Sequence, residues 1–197
     1  MRVISGFAKG KRLKAPSGLT TRPITDMIKE ALFNVLGPKV AEANLLDLFA
    51  GSGSVGIEAL SRGAQKVVFV DNSIEAVKII KDNLSNCRFE AGFEVYRSDV
   101  FQALKRLERQ GKRFDLIYID PPFTKDSLFY KVMEYIDGVD LLTAEGIIVI
   151  RTPRKKEMPS FQRLCKYRLN NYGESSLHYY CWHEEDPKDD GNISHIG

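Results

Sequence analysis

Apolar residues along the chain fall into short runs separated by longer segments with helical spacing. The runs lie at residues 45–49, 67–70, 93–97, 114–119 and 146–151. Each run predicts a strand, because short segments rich in apolar residues are typical of strands covered on both faces. Elsewhere, apolar positions recur every three or four residues, which predicts helices near residues 26–36, 55–60, 73–86, 101–107 and 126–136. Strands that alternate with helices through short links predict an α/β fold with a doubly wound, mostly parallel sheet.

Both ends of the chain depart from this alternation. Residues 164–169 and 177–182 predict two strands joined by the turn residues 170–173, and thus an antiparallel hairpin that completes a seven-stranded sheet. Residues 1–22 combine short β-prone pieces with glycine and proline, which predicts a small basic β-hairpin outside the sheet. We therefore expect an N-terminal extension (1–22), a main domain (23–183) and an acidic flexible tail (184–197).

The composition is that of a single soluble domain. At 197 residues and 43% hydrophobic content the chain can bury one substantial core, and no stretch approaches the roughly eighteen apolar residues of a membrane span. The first twenty residues lack the apolar segment of a secretory signal, so we expect a cytoplasmic monomer that does not bind a membrane. The three cysteines are widely spaced, which favours reduced thiols and no metal site.

Positive charge is concentrated in two segments. The six basic residues that precede the first acid, Asp26, are Arg2, Lys9, Lys11, Arg12, Lys14 and Arg22. The second group is Arg151, Arg154, Lys155, Lys156, Arg163, Lys166 and Arg168. Because the acidic tail offsets these groups, the net charge of +3 understates them, and they favour a polyanionic partner such as a nucleic acid.

A glycine-rich turn follows the first predicted strand. Gly51, Gly53 and Gly56 fit the G-x-G-x-x-G pattern, in which glycine lets the backbone approach a ligand closely and the next helix directs its free N–H groups at it. Asp71 follows Gly51 by twenty residues and ends the second strand, where a carboxylate can accept hydrogen bonds from ribose hydroxyls. The combination predicts a cofactor that contains adenosine.

The fourth predicted strand ends in the tetrapeptide Asp120-Pro121-Pro122-Phe123. A stiff Pro-Pro bend holds the carboxylate and a backbone carbonyl side by side, and the aromatic ring that follows can stack on a base. Two adjacent acceptors suit an exocyclic amine, which must be oriented towards an activated carbon before it can act as a nucleophile. Because parallel strands end at one edge of a sheet, we expect Asp120 to lie near the glycine turn.

Together these motifs resemble those of the S-adenosylmethionine-dependent amino methyltransferases with a Rossmann-like (class I) fold. The resemblance implies that S-adenosylmethionine is the cofactor and S-adenosylhomocysteine the product. It also implies that the glycine turn holds the methionine part, the acid after strand two the ribose, and the acid after strand three the adenine. The implied cofactor-binding residues are Asp47, Ala50, Gly51, Gly53, Asp71, Asn72 and Asp99. The implied catalytic group is Asp120, Pro121, Pro122 and Phe123.

Residues 2–6 and 22–34 resemble, more closely, the RsmD-type methyltransferases that modify guanine N2 in small-subunit (16S) ribosomal RNA. The likeness runs from Met1 to about Trp182, with two departures from the family pattern, at Ile24 and Met27. It implies methylation of the exocyclic N2 amine of one guanine, with ribosomal RNA or the small ribosomal subunit as partner. Phosphate contacts are expected at Lys9, Lys11, Arg12, Lys14 and Arg22.

Four alternatives stay open at this point. A nicotinamide-dependent oxidoreductase shares the glycine turn but has no need of Asp47 or of the tetrapeptide. An adenine-N6 methyltransferase acting on DNA or RNA shares every motif, and the two donors of guanine favour a carboxylate only slightly. The third alternative is a protein glutamine methyltransferase, but this activity usually goes with an Asn-Pro-Pro-Tyr group. The fourth is an RNA-binding module without catalysis, which would not need Asp71 and Asp120.

Overall fold

The computed structural model describes residues 1–16 and 24–183, so Arg22 and the predicted tail at 184–197 lie outside the described residues. The helices in the described part of the chain are α1 (Asp26–Leu36), a 3₁₀ helix (Gly37–Val40), α2 (Ser54–Ser61), α3 (Ile74–Asn86), α4 (Val100–Arg109) and α5 (Asp126–Asp137). The strands there are β1 (Asn44–Leu48), β2 (Lys66–Asp71), β3 (Phe93–Arg97), β4 (Phe114–Ile119), β5 (Leu142–Pro153), β6 (Leu164–Tyr172) and β7 (Ser175–Trp182).

The strands form one seven-stranded sheet in the order β3-β2-β1-β4-β5-β7-β6. The pairs from β3 to β5 are parallel, whereas β7 runs antiparallel to both β5 and β6. This arrangement confirms the predicted doubly wound sheet with its antiparallel terminal hairpin. The strand order reverses between β1 and β4, so the crevice outside the carboxyl ends of these strands is the expected ligand position.

Alternate residues of the central strands enter two separate cores. On β4, Leu116 and Tyr118 join a core that includes residues of α1, α2 and α3, while Ile117 and Ile119 join a core that includes residues of α4 and α5. Both faces of the sheet are therefore buried, which explains the nearly continuous apolar runs in the sequence.

Two boundaries differ from the prediction. Strand β5 begins at Leu142 rather than residue 146, because Leu142 pairs with Phe114 ahead of a register shift in β4. The predicted turn at 170–173 is wrong in part: Asn170 and Asn171 continue the ladder opposite Leu177 and Ser176. The turn is confined to residues 173–174, because asparagines with a cross-strand partner can stay in a strand despite their low strand propensity.

The N-terminal segment forms the predicted hairpin outside the sheet and is held by one buried acid. Arg2 and Arg12 form an antiparallel bridge. The two carboxylate oxygens of Glu58, on α2, accept hydrogen bonds from the backbone N–H groups of Ile4 (2.7 Å) and Ser5 (3.0 Å). Lys29 of α1 is fully buried, with its Nζ 3.4 Å from Glu58 and 2.6 Å from the carbonyl oxygen of Arg2. This buried ion pair fixes the basic segment to α1 and α2.

No helix in residues 1–16 and 24–183 combines the length and the apolar character that a membrane crossing requires.

Replacing Gly56 with alanine should lower the free energy of unfolding by roughly 1–3 kcal/mol, because α2 packs too closely on β2 to accept a side chain. A Cβ at this position would overlap the ring of Phe69 and lie 2.7 Å from Val67 Cγ1. The matched control is Gly138→Ala at the end of α5, where the added carbon meets only ordinary contacts at 3.6 and 3.7 Å. Chemical denaturation measures both variants, and equal stability for the two would contradict the packing described for α2.

Candidate active site

A cavity of about 300 Å³ lies at the carboxyl ends of the parallel strands. Among the residues predicted from the sequence, the cavity is lined by Gly51, Asp71, Asn72, Asp99, Asp120 and Pro122. These residues follow four different strands, β1 to β4. The predicted convergence of the glycine turn and the strand-end carboxylates is thus present in the structure.

The other predicted residues lie around the cavity without lining it. Ala50 and Gly53 close the turn, since Gly53 N–H donates to the Ala50 carbonyl over 2.7 Å. Pro121 is buried, and the half-buried ring of Phe123 packs 6.2 Å from that of Phe129. Stacking of Phe123 on a base therefore stays a prediction.

Asp71 ties the glycine turn to the start of α3. Its Oδ2 accepts a hydrogen bond from Gly51 N–H (2.9 Å), and its Oδ1 accepts one from Ser73 N–H (2.9 Å). Each carboxylate oxygen has two lone pairs, so both can accept a further bond from a ligand hydroxyl. Asp99 has a similar place at the start of α4, where its Oδ1 caps the helix by accepting from Phe101 and Gln102 N–H.

Gly51 has a conformation and a position that suit close approach of a ligand. Its φ is +56°, which an L side chain rarely adopts. A Cβ there would meet no described heavy atom nearer than 3.9 Å, so the space beside it is open to the cavity that it lines. A side chain at this position would occupy ligand space.

Asp47 lies beneath the turn rather than in the cavity. It is 1% exposed, and its Oδ2 accepts a hydrogen bond from Gly56 N–H over 3.0 Å. Burial, together with the charges of Asp120 and Asp71, raises the pKa of Asp47 to about 8, although the hydrogen bond from Gly56 acts to lower it. The carboxyl group is therefore mostly protonated at neutral pH, and its predicted contact with the methionine ammonium stays a prediction.

Asp120 lies at the end of β4, beside the cavity, with 19% of its side chain exposed. Its Oδ2 accepts from Arg151 Nη1 (3.0 Å) and from the Tyr118 hydroxyl (3.3 Å), while Oδ1 has a longer contact of 3.4 Å with the same Nη1. Burial raises the pKa of Asp120 above its ordinary value, although the Arg151 charge and the hydrogen bonds from Arg151 and Tyr118 act to lower it. Burial and the Asp120 charge raise the pKa of Tyr118 well above its ordinary value, so its hydroxyl stays a donor.

The sequence did not indicate that Arg151 and Tyr118 bond to Asp120. Arg151 was counted in the second basic group, which favoured a polyanionic partner, but it is 2% exposed and faces Asp120, so it does not contribute to an exposed basic surface. Strand register could have shown this: Ile150 pairs with Ile119 in the parallel β4–β5 ladder, so the next residues, Arg151 and Asp120, are neighbours. Lys156 of the same group is also buried in its side chain and paired with Asp126.

Two of the predicted phosphate contacts, Arg12 and Lys14, lie beside α3. The Arg12 carbonyl accepts from Asn86 Nδ2 and the Lys14 N–H donates to Asn83 Oδ1, each over 2.9 Å. Pro16, two residues further, lines the cavity, so residues 12–16 run from the C-terminal end of α3 to the cavity. Lys9 and Lys11 precede this stretch and follow Ala8, which bonds to Ser61 of α2. Lys9, Arg12 and Lys14 are exposed.

In the described part of the chain, no three His, Cys, Asp or Glu side chains are grouped to hold a metal ion. His178 is buried, and its Nε2 lies 3.0 Å from Thr152 Oγ1.

Comparison with known proteins gives consistent matches. A family model described as conserved hypothetical protein 95 matches residues 1–181. The chain is 40% identical over 181 residues to the "Putative rRNA methyltransferase YlbH" of Bacillus subtilis, which covers 91% of this chain and 98% of that protein. It is 39% identical over 160 residues to the ribosomal RNA small subunit methyltransferase D of Haemophilus influenzae, covering 80% and 81%. Among solved structures, the "Putative methyltransferase yhhF" from Escherichia coli superposes with a TM-score of 0.78 at 27% identity, covering 94% of this chain and 99% of that one.

Replacing Asp47 with asparagine should make the protein less sensitive to alkaline pH. The folded-state pKa of about 8 lies above the ordinary 3.8, so Asp47 stabilises the fold fully at acidic pH and this contribution is lost as the pH rises towards 8. Asparagine keeps an acceptor for Gly56 without ionising. Relative to the wild type, the free energy of unfolding of Asp47→Asn should therefore rise by roughly 3–5 kcal/mol between about pH 5 and about pH 9.

Urea denaturation across this pH range, without cofactor, measures the effect. Asp82→Asn, an exposed aspartate on α3, is the control and should follow the wild type. A constant difference between Asp47→Asn and the wild type at all pH values would show that Asp47 is ionised throughout.

Proposed function

The chain belongs to the conserved hypothetical protein 95 family of RsmD-type methyltransferases, and on that premise we propose that it methylates the exocyclic N2 amine of a guanine in small-subunit ribosomal RNA. The observation that carries the proposal is the position of Asp120, whose carboxylate lies on the wall of the same cavity as the glycine turn and Asp71. An amine acceptor and a cofactor pocket thus share one space.

The residues around the cavity fit S-adenosylmethionine. The open space beside Gly51 admits a ligand against the backbone, and the carboxylates of Asp71 and Asp99 can accept from the ribose hydroxyls and the adenine amine. The cofactor, when bound, supplies an electrophilic methyl group on a sulfonium. Asn72 adjoins Asp71 on the lining and completes this side of the pocket.

Asp120 orients the nucleophile. Its Oδ1, which has only the longer contact with Arg151, can accept an N–H of the amine, and the Pro121 carbonyl can accept the second. With both N–H bonds held, the nitrogen lone pair is directed away from the base plane, as in-line displacement requires. The bound cofactor would supply the methyl group, with its sulfur leaving as a neutral thioether. The Asp120 carboxylate would stabilise the positive charge on nitrogen until a proton is lost to water.

The basic N-terminal segment suits an RNA substrate. It brings Arg12 and Lys14 along α3 towards the cavity, and Lys9 and Lys11 precede them in the same segment, so the four side chains can contact phosphates. The target base must leave its stack to bring its edge to Asp120, so the nucleotide is flipped or already unpaired. The relatives' names, rRNA methyltransferase and ribosomal RNA small subunit methyltransferase D, support ribosomal RNA. Arg22 as a phosphate contact, the monomeric state and independence from metal stay predictions.

The identity of the product tests the proposal. The protein is incubated with methyl-labelled cofactor and, separately, unmodified ribosomal RNA, partly assembled small subunits and genomic DNA, and each acceptor is digested to nucleosides. We expect label in N2-methylguanosine from an RNA acceptor. Label in N6-methyladenosine would reject the assignment to guanine. The absence of label in every acceptor would reject the proposed methyltransferase activity.

Asp120→Asn should lower kcat by a factor of roughly 10² to 10³ while changing the Kd for S-adenosylmethionine less than about threefold, because the carboxylate acts on the amine and not on cofactor binding. Single-turnover transfer and calorimetry give the two values, and thermal unfolding checks the fold. The matched control is Asp140→Asn, an exposed aspartate between α5 and β5. Wild-type turnover by the Asp120 variant would remove its proposed role.

Replacing Lys9 and Lys11 together with alanine should reduce the slope of log K for RNA binding against log salt concentration by about 1.4, because each lysine that contacts a phosphate of single-stranded RNA contributes about 0.7. The double variant Lys105→Ala and Lys131→Ala removes the same charge from exposed positions on α4 and α5, across the sheet. Fluorescence anisotropy over a salt series measures both. An equal change of slope for the two double variants would mean that general charge, and not the N-terminal segment, attracts the RNA.

A further inference from the structure

Arg151 is a fully charged side chain in an almost fully buried place. It is 2% exposed and lies on β5 next to the end of β4. Its Nη1 donates to both oxygens of Asp120, at 3.0 and 3.4 Å, and its Nε and Nη2 donate to Ser175 Oγ, at 3.3 and 3.2 Å. The guanidinium carbon also lies 5.2 Å from the centre of the Phe123 ring. One rigid group therefore contacts β7 and both ends of the Asp120-to-Phe123 tetrapeptide.

This burial excludes the role that the sequence suggested. A guanidinium held by Asp120 and Ser175 at 2% exposure does not present its donors to an RNA phosphate at the surface. Burying an arginine is costly unless its charge is compensated, and here the compensating charge is the carboxylate that faces the cavity. The burial of the Arg151 charge is therefore coupled to the ionisation of Asp120.

We propose that Arg151 is the positioning residue for methyl transfer: it keeps the Asp120 carboxylate ionised, turns Oδ1 towards the amine by holding Oδ2, and fixes the Phe123 ring beside it. This inference rests on the proposed function and adds to it a residue outside the cavity lining. Arg151 acts through Asp120 and Phe123.

Ionisation of Asp120 depends on this partner because few other groups favour it. The charged and titratable groups that act on it are Arg151 from β5, Tyr118 from β4 and Asp47 from β1. Tyr118 donates one hydrogen bond, and Asp47 is mostly neutral at pH 7 and offers no positive charge. Without Arg151, burial would favour the neutral acid, which accepts an amine hydrogen bond weakly and cannot stabilise a positive nitrogen.

The consequence is a change in pH dependence that a merely structural residue would not cause. In the wild type, the acid limb of kcat reports Asp120 losing its charge. In Arg151→Met, which removes the charge and keeps much of the volume, we expect this limb to move to higher pH by at least about one unit. At pH values below both limbs kcat should be at least tenfold lower than in the wild type, and the difference should disappear as the pH rises. The acid limb of Arg151→Lys should lie between those of the wild type and Arg151→Met, because lysine keeps the positive charge but lacks the paired donors of the planar guanidinium.

Two measurements carry the test. The first is single-turnover methyl transfer from about pH 5 to about pH 9, with Arg109→Met, an exposed arginine at the end of α4, as the control that keeps the wild-type profile. The second is a carbon-13 NMR titration of the Asp120 carboxyl in the cofactor-free protein, which needs no activity. We expect Asp120 to be ionised at neutral pH in the wild type and to titrate at higher pH in Arg151→Met.

A neutral Asp120 in the wild type at pH 7 would overturn the inference even if the variants failed to fold. So would an Arg151→Met profile that is lower at every pH but unchanged in shape, which would mark a structural residue. If wild-type protein transferred no methyl group to any RNA while the titration gave the expected shift, the proposed function would fail and the coupling of Arg151 to Asp120 would stand.

Discussion

The site depends on carboxylates at the ends of parallel strands, each held by donors from a neighbouring element. Asp71 accepts from the glycine turn and from the start of α3, and Asp47 accepts from Gly56 inside α2. Asp120 accepts from Arg151 on the adjacent strand. Because the donors are backbone N–H groups or a buried guanidinium, the acids are fixed before any ligand arrives, and preorganised groups are worth more in a site with little water. Asp47 and Asp120 differ in their surroundings, since burial raises the pKa of Asp47 to about 8, whereas at Asp120 the Arg151 charge opposes the effect of burial.

The same kind of interaction holds the basic N-terminal segment against α2. Glu58 is fully buried and accepts hydrogen bonds from the backbone N–H groups of Ile4 and Ser5, which holds the N-terminal segment on α2. The buried negative charge of Glu58 is compensated by Lys29. That docking directs the basic residues along α3 to the cavity, which Pro16 reaches. The basic segment thus owes its position to α2, the helix that also follows the glycine turn.

Much of this could be predicted from the sequence, because the fold follows from local periodicity and the site from the ends of its strands. Asp71, Asp99 and Asp120 were found by this rule, and the predicted Rossmann-like fold and methyltransferase family are confirmed. Arg151 was misassigned because a count of charges does not show which face of a strand is buried. The pair of Lys29 and Glu58 was not foreseen, since residues so far apart in the chain meet only after α1 and α2 have packed.

The central claim is that the amine to be methylated lies between Asp120 and the cofactor. The most direct measurement is a structure of the protein with S-adenosylhomocysteine and an RNA fragment that carries the target guanine. The account predicts the guanine N2 within hydrogen-bond distance, about 3 Å, of Asp120 Oδ1, on the line that extends from the cofactor sulfur. A base bound elsewhere, or a cofactor on the far side of the sheet from Asp120, would contradict it.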